Sequence, residues 1–202
     1  LYRSGCRNLS YAPESGSRRL LKQIKKKIDP DRMIQSMKTS VRHGINVKAN
    51  IIFGFPGETH RDIWESYVFI ARMAMSGCND VSIWTYSPYP GTELFNELRQ
   101  SGGIGQFDDA YFASLLSYAD LKNVVSWSDK LSSGALRVYR LAGMVLFYGV
   151  SYTTNPLRLF RTLRNLLRNE HESRMEMTLA IFLKRFISSQ NPQKSRPGGH
   201  LL

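Results

Sequence analysis

Three observations predict an α/β architecture built on a parallel sheet. Short apolar alternations are each followed by apolar residues at helical spacing. Each alternation ends in a turn rich in glycine, proline or serine. Every connection between alternations holds a helix, which joins parallel rather than antiparallel neighbours. The strand–helix pair recurs three times in the first half of a 202-residue chain, and the remainder reads as helical.

The first strand is expected over Gly5–Ala12, with Pro13-Glu14-Ser15-Gly16 as its closing loop. Leu20, Leu21, Ile24 and Ile28 then recur at helical spacing among Lys22, Lys25, Lys26 and Lys27; cations are favoured near a helix carboxyl end. Asp29 as cap and Pro30 as first residue start a second helix that runs to His43 and stops at Gly44. Val47, Ala49, Ile51 and Phe53 share one face of the next strand, in the stretch NVKANIIFGFPGET. Gly54, Pro56 and Gly57 break it, and Thr59 with Asp62 forms a capping box for a helix over His60–Met75. Asp80–Tyr86 is the third strand and Ser87-Pro88-Tyr89-Pro90-Gly91 its turn, with Thr92 capping a short helix to Gln100. Three such units neither close a barrel nor cover both faces of a sheet.

Beyond Gly103 an aromatic-rich stretch, Gln106–Trp127, reads as a short helix and loops. One long helix is expected over Ser128–Tyr152, a second from Asn155-Pro156 and a third over Arg174–Ile187. The last residues have the composition of a disordered tail. The resulting domain boundaries are 1–103, 104–188 and 189–202. Arg158, Arg161, Arg164 and Arg168 alternate with Leu159, Leu163, Leu166 and Leu167, which predicts a bundle helix with leucines inward and arginines in water. Contact with an anionic membrane surface is the lesser alternative.

Composition narrows the function. Hydrophobic residues make up 42% of the chain, enough for a real core. The net charge of +12 is uneven: +9 over residues 1–50, −3 over 51–154 and +6 over 155–202. Cys6 and Cys78 stand far apart with no histidine or cysteine at metal-ligand spacing, so neither a disulfide framework nor a metal site is expected, and a reducing cytoplasm fits. No apolar run is long enough to span a bilayer. No phosphate-loop lysine follows the GFPGET glycines, and no catalytic triad or carboxylate pair emerges from the spacing. Glu14 and Glu58, each on a loop at a strand's carboxyl end, are placed to meet ligand hydroxyls or an ammonium group.

ESGS with Leu21 seven residues after Glu14 and Lys26 twelve after it, then IIFGFPGET, then YSPYPGTEL, resembles in order and spacing the second half of a radical S-adenosylmethionine (SAM) catalytic barrel. The similarity covers about residues 5–101 and is greatest to the branch shared by cobalamin-dependent radical SAM enzymes and tRNA methylthiotransferases. FYGVSYTTNPLRLFR is also similar to the helical tail that follows cobalamin-dependent barrels. The resemblance implies the last three strand–helix units of a six-stranded partial TIM barrel, followed by a C-terminal helical region. It implies SAM contacts at Glu14, Lys26, Asn50, Ile52, Gly54 and Tyr86. Glu14 would meet the ribose or amino-acid end, Lys26 the carboxylate, and Ile52 the adenine. Asn50, Ile52 and Gly54 would face the barrel interior together, and Tyr86 would line the adenine pocket. Asn50 departs from the family's first glycine, and Glu58 stands one residue late, so helix capping is expected of it instead.

The CxxxCxxC loop that holds a [4Fe–4S] cluster in that family is absent, and neither cysteine substitutes for it. The chain, opening at Leu1 on the approach to a strand, is therefore expected to be a piece of a longer protein whose preceding part carries the cluster and, if used, cobalamin. The intact enzyme would reductively cleave SAM for radical methylation, cyclisation or rearrangement of a small-molecule or RNA substrate, drawing electrons from a flavodoxin or ferredoxin. This chain alone would be inactive, with no catalytic or metal-ligating residue of its own. A reading of a different class is a non-catalytic basic module binding RNA or an anionic membrane, supported by the two basic ends.

Overall fold

A computed structural model describes residues 1–116, 118, 120–121 and 123–168. The helix expected over Arg174–Ile187 and the tail from 189 lie outside the described residues. The chain divides into two compact units, Leu1–Asn155 and Pro156–Leu202.

In the first unit, β1 (Asn8–Glu14), β2 (Asn46–Phe53) and β3 (Asp80–Thr85) form a parallel sheet in the order β1-β2-β3. Register runs from Asn8 opposite Asn46 and from Lys48 opposite Asp80 to Phe53 opposite Thr85. Helices α1 (Arg18–Gln23) and α2 (Pro30–Arg42) connect β1 to β2, and α3 (His60–Met75) connects β2 to β3. After β3 come α4 (Glu93–Gln100), α5 (Asp109–Leu116) and α6 (Ser133–Thr154). This is the α/β pattern expected: consecutive parallel staves, as in part of a (β/α) barrel, then a helical region.

The caps follow side-chain chemistry. Asp29 accepts from the N–H groups of Asp31 and Arg32 at the start of α2, and Thr59 and Asp62 complete the capping box of α3. The strand alternation is equally direct. Val47, Ala49, Ile51 and Phe53 are fully buried, whereas Lys48, Asn50 and Ile52 on the opposite face are half-buried. The buried layer includes Ile63, Phe69, Ile70 and Met73 of α3 and Leu136 and Phe147 of α6. Helix α6 packs on both α3 and β3. A Cβ at Gly143 would stand 2.5 Å from Ile83 Cδ1, so glycine is what permits this approach.

Helix α1 stops at Gln23, short of Ile24 and Ile28, and two further boundaries differ from expectation by several residues. Gly5, at φ +91°, closes a 3-10 turn over Tyr2–Ser4, so β1 starts at Asn8 and runs on through Pro13 to Glu14. The ladder shifts by a bulge between Tyr11 and Glu14, which accommodates a proline lacking an N–H on a strand with only one neighbour. Helix α6 begins at Ser133 rather than Ser128. The intervening serines are spent on turns: Ser126 donates to Leu131 O (2.5 Å), Lys130 N–H donates to Ser128 (3.3 Å), and Ser132 caps at Ala135 N–H (3.2 Å).

The second unit contributes α7 (Pro156–Arg168). Its burial departs from the expectation in part: Arg158, Thr162 and Asn165 are buried and Leu157, Leu159, Phe160 and Leu163 exposed, while Arg164 and Arg168 are exposed as expected. Amphipathic spacing establishes that a helix has two faces but does not say which one is covered.

Candidate functional site

The carboxyl ends of the three strands open into a cavity of about 700 Å³, within the size range of small-ligand sites. Glu14 ends β1 there, Ile52 and Phe55 come from the end of β2, and Trp84 to Ser87 from that of β3. The segment Gln23–Lys26 and the first turn of α4 complete the wall.

Glu14 and Lys26 meet inside it at 3.0 Å, both partly shielded from water. Glu14 has φ +65° and Lys25 φ +56°, a left-handed backbone that non-glycine residues seldom adopt. The surrounding structure must hold that conformation, and such strain clusters at functional sites. Lys25 bridges to Glu93 at the start of α4. Lysines that the sequence presents as a solvated helix end are thus paired across the cavity with carboxylates from two other elements.

The wall beneath is apolar. The Tyr86 ring lies 5.0 Å from that of Phe55, packed with Leu20, Ile24, Ile52 and Leu94. Burial pushes the Tyr86 hydroxyl up to about 12. That hydroxyl lies near Thr92, which is engaged with Tyr89 O (2.9 Å) and Phe95 N–H (3.3 Å). Tyr86 Oη itself makes no hydrogen bond of ordinary geometry. A buried polar atom left without a partner at a cavity wall is a group a ligand or water can satisfy.

Four of the six residues named from the sequence, Glu14, Lys26, Ile52 and Tyr86, line this cavity. Asn50 shares the face of Ile52 but is not part of the wall. Its amide donates to Ser10 Oγ (3.0 Å) and its carbonyl oxygen accepts from Trp84 Nε1 (3.2 Å), making a rung across all three strands. Gly54 departs from the alternation altogether. With φ +91° it turns away from the interior, and a Cβ there would meet Leu136 Cδ1 of α6 at 2.8 Å. Parity arguments hold only while the backbone stays extended, and the first glycine of GFPG ends that.

Glu58 also corrects the sequence reading. It does not cap α3, which Thr59 does. Its carboxyl is fully buried and turns back on its own loop, where Oε2 accepts from Gly54 N–H and from Phe55 N–H (3.1 Å); Oε1 has no partner. Burial pushes its pKa up to about 8, against the two N–H donors that favour the ionised form. The same loop is gripped from α1, where Gln23 Nε2 donates to Pro56 O (2.9 Å) and Arg19 Nη2 to Gly57 O (3.0 Å). Asp129 accepts from Gly57 N–H (2.8 Å). Arg19 also pairs with buried Asp62; burial works to raise that carboxyl, but Arg19, Ser17 and Thr59 together hold it well below the usual carboxylate range.

The sequence did not single out Trp84, Phe55 or Glu93. Trp84 and Tyr118 lie 5.3 Å apart on the wall. The available signal was the parity of Trp84 with Tyr86, read against Asn50 and Ile52 on the neighbouring strand. Among the described residues no group of His, Cys, Asp and Glu could hold a metal ion. Cys78 is buried, its Sγ 3.4 Å from the carbonyls of Val47 and Asp80, and Cys6 is a free thiol whose Sγ lies 3.6 Å from Asn8 O.

Residues 1–70 match the family model described as the Radical SAM superfamily. An uncharacterized methyltransferase of Pyrococcus horikoshii is 33% identical over 92 residues, covering 45% of this chain and 19% of that protein. The tRNA-2-methylthio-N(6)-dimethylallyladenosine synthase of Rickettsia typhi is 33% identical over 82 residues, 39% of this chain and 18% of its own length. The chain thus spans about a fifth of these curated relatives. Among solved structures, the Elp3 of Methanocaldococcus infernus aligns with a TM-score of 0.42 at 19% identity, over 63% of this chain and 30% of that one. Residues 1–70, which carry β1, β2 and the GFPGET loop, are thus similar to the radical SAM superfamily.

Proposed function

We propose that the cavity binds SAM and that the chain is the SAM-binding part of a radical SAM enzyme of the cobalamin-dependent branch. The observation that carries this is the Glu14–Lys26 ion pair, 3.0 Å apart and partly buried, facing the same cavity as the apolar wall of Ile52, Phe55 and Tyr86. An amino-acid zwitterion can insert across such a pair, its ammonium toward Glu14 and its carboxylate toward Lys26, while an adenine packs on the apolar wall. The orphaned Tyr86 hydroxyl adds a hydrogen-bonding group to that wall. Asn50 acts through Trp84, whose indole it orients, and Gly54 and Glu58 act through the position of Phe55. When bound, SAM supplies a sulfonium whose reductive cleavage at a [4Fe–4S] cluster initiates radical methylation, cyclisation or rearrangement in the intact protein.

A cluster does not fit the described residues, which contain two free cysteines and no metal-binding group. The cluster and any cobalamin must be held elsewhere in the intact protein, and this chain alone binds SAM without cleaving it. Calorimetric titration of the 202-residue chain with SAM should give saturable 1:1 binding. Glu14→Gln and Lys26→Ala should each weaken it about tenfold or more, the effect of losing one charge-assisted hydrogen bond. Absence of saturable binding would sink the proposal. Anaerobic assay of the full-length gene product, with iron and sulfide reconstituted, should yield 5′-deoxyadenosine or S-adenosylhomocysteine from SAM.

A further inference from the structure

Helix α7 exposes its apolar side. Leu157 is 77% exposed, Phe160 67% and Leu163 50%, whereas Asn165, on the opposite side of the helix, is 1% exposed. The helix carries four arginines and no acidic residue, and Arg164 and Arg168 are exposed. At 13 residues it is about 20 Å long, so the exposed side is an extended strip rather than a single protruding side chain. No described helix is long and apolar enough to cross a membrane.

We propose that α7 lies in the plane of an anionic lipid bilayer. Leu157, Phe160 and Leu163 rest among the acyl chains, and Arg164 and Arg168 meet the lipid phosphates. Charge selects this occupant over the alternatives. A second copy would set the exposed Arg164 and Arg168 against their own counterparts, and like charges oppose that contact. A nucleic acid would use the arginines but leave the leucines and the phenyl ring in water, since their value lies in burial beside hydrocarbon. A lipid interface uses both properties, apolar side chains inward and cations at the phosphate level.

The test is flotation of the 202-residue chain with vesicles of phosphatidylcholine alone and with 30% phosphatidylglycerol, at low and high salt. Binding should be about tenfold tighter or more to the phosphatidylglycerol vesicles and should weaken with salt, as expected for two cations near an anionic surface. Phe160→Ser with Leu163→Ser should abolish binding to both vesicles while leaving the far-ultraviolet circular dichroism and the melting curve unchanged. Arg164→Gln with Arg168→Gln should remove only the preference for phosphatidylglycerol. Failure to bind phosphatidylglycerol vesicles, or retained binding in the serine variant, would overturn the proposal. So would a lowered melting temperature in the serine variant, which would mean that the strip is packed inside the protein. Self-association lost in that variant would assign the strip to a second copy, and salt-sensitive tRNA binding in place of vesicle binding would assign the helix to nucleic acid. SAM binding is measured separately and has no bearing on either outcome.

Discussion

Two buried carboxyls beside the GFPG loop respond to pH in opposite directions. Glu58 has a folded-state value of about 8, raised chiefly by burial. Its contribution to stability is therefore complete below its ordinary value near 4.5 and is lost as pH rises toward 8. Asp62 is depressed by Arg19, Ser17 and Thr59, outweighing its own burial, so its contribution is present above its ordinary value and is lost as acid protonates it. Urea midpoints measured across pH should fall at both ends, with an alkaline-side loss of up to about 4 kcal/mol between pH 5 and 8. Glu58→Gln should flatten that side and leave the acid side in place; a slope unchanged in the variant would remove Glu58 as its source. Asp62→Asn should flatten the acid side and lower stability by about 2 kcal/mol, because Arg19 loses its buried partner. The sequence marked Glu58 as notable but could not show its direction, since a side chain that turns back on its own loop has no spacing signature.

At the level of elements, legibility followed the strength of the local signal. The bounds of β2 and α3 were readable to the residue because strict alternation and a reciprocal cap leave one solution. The start of β1 was not, because Gly5 in a left-handed conformation closes a 3-10 turn before it, and its end was not, because a bulge and a left-handed Glu14 break the period there. The cavity was legible in four of its residues through motif order, while the Asn50–Trp84 hydrogen bond required the register of β2 against β3, which no single strand contains. Contact between α6 and the sheet was likewise hidden in one glycine. Gly143→Ala should destabilise by about 1–2 kcal/mol although alanine is the better helix former by about 1 kcal/mol, since its Cβ would overlap Ile83 Cδ1. Ile83→Val removes that atom and should recover part of the loss in a double-mutant cycle; additive effects would show that the clash lies elsewhere.

For the whole molecule, ligand binding and stability are linked. If the cavity binds SAM in the folded state alone, SAM at a hundred times its dissociation constant should add about 2.7 kcal/mol to unfolding. That appears as a raised thermal midpoint which Lys26→Ala should suppress. A midpoint indifferent to SAM in the parent chain would argue against the site independently of calorimetry.

The ladder of this sheet also sets the order in which the chain can assemble. Residue 8 pairs with 46 and residue 48 with 80, so each strand pairing closes a loop of some 30–40 residues. No two strands meet through a short hairpin, and β2 is the partner of both others. Loop-closure entropy is spent before any ladder bond repays it, which favours local helices forming first and slows the gathering of strands around β2. Until then β2, whose Val47, Ala49, Ile51 and Phe53 are destined for the core, has both edges open, which makes it the strand among the three that most needs protection during synthesis.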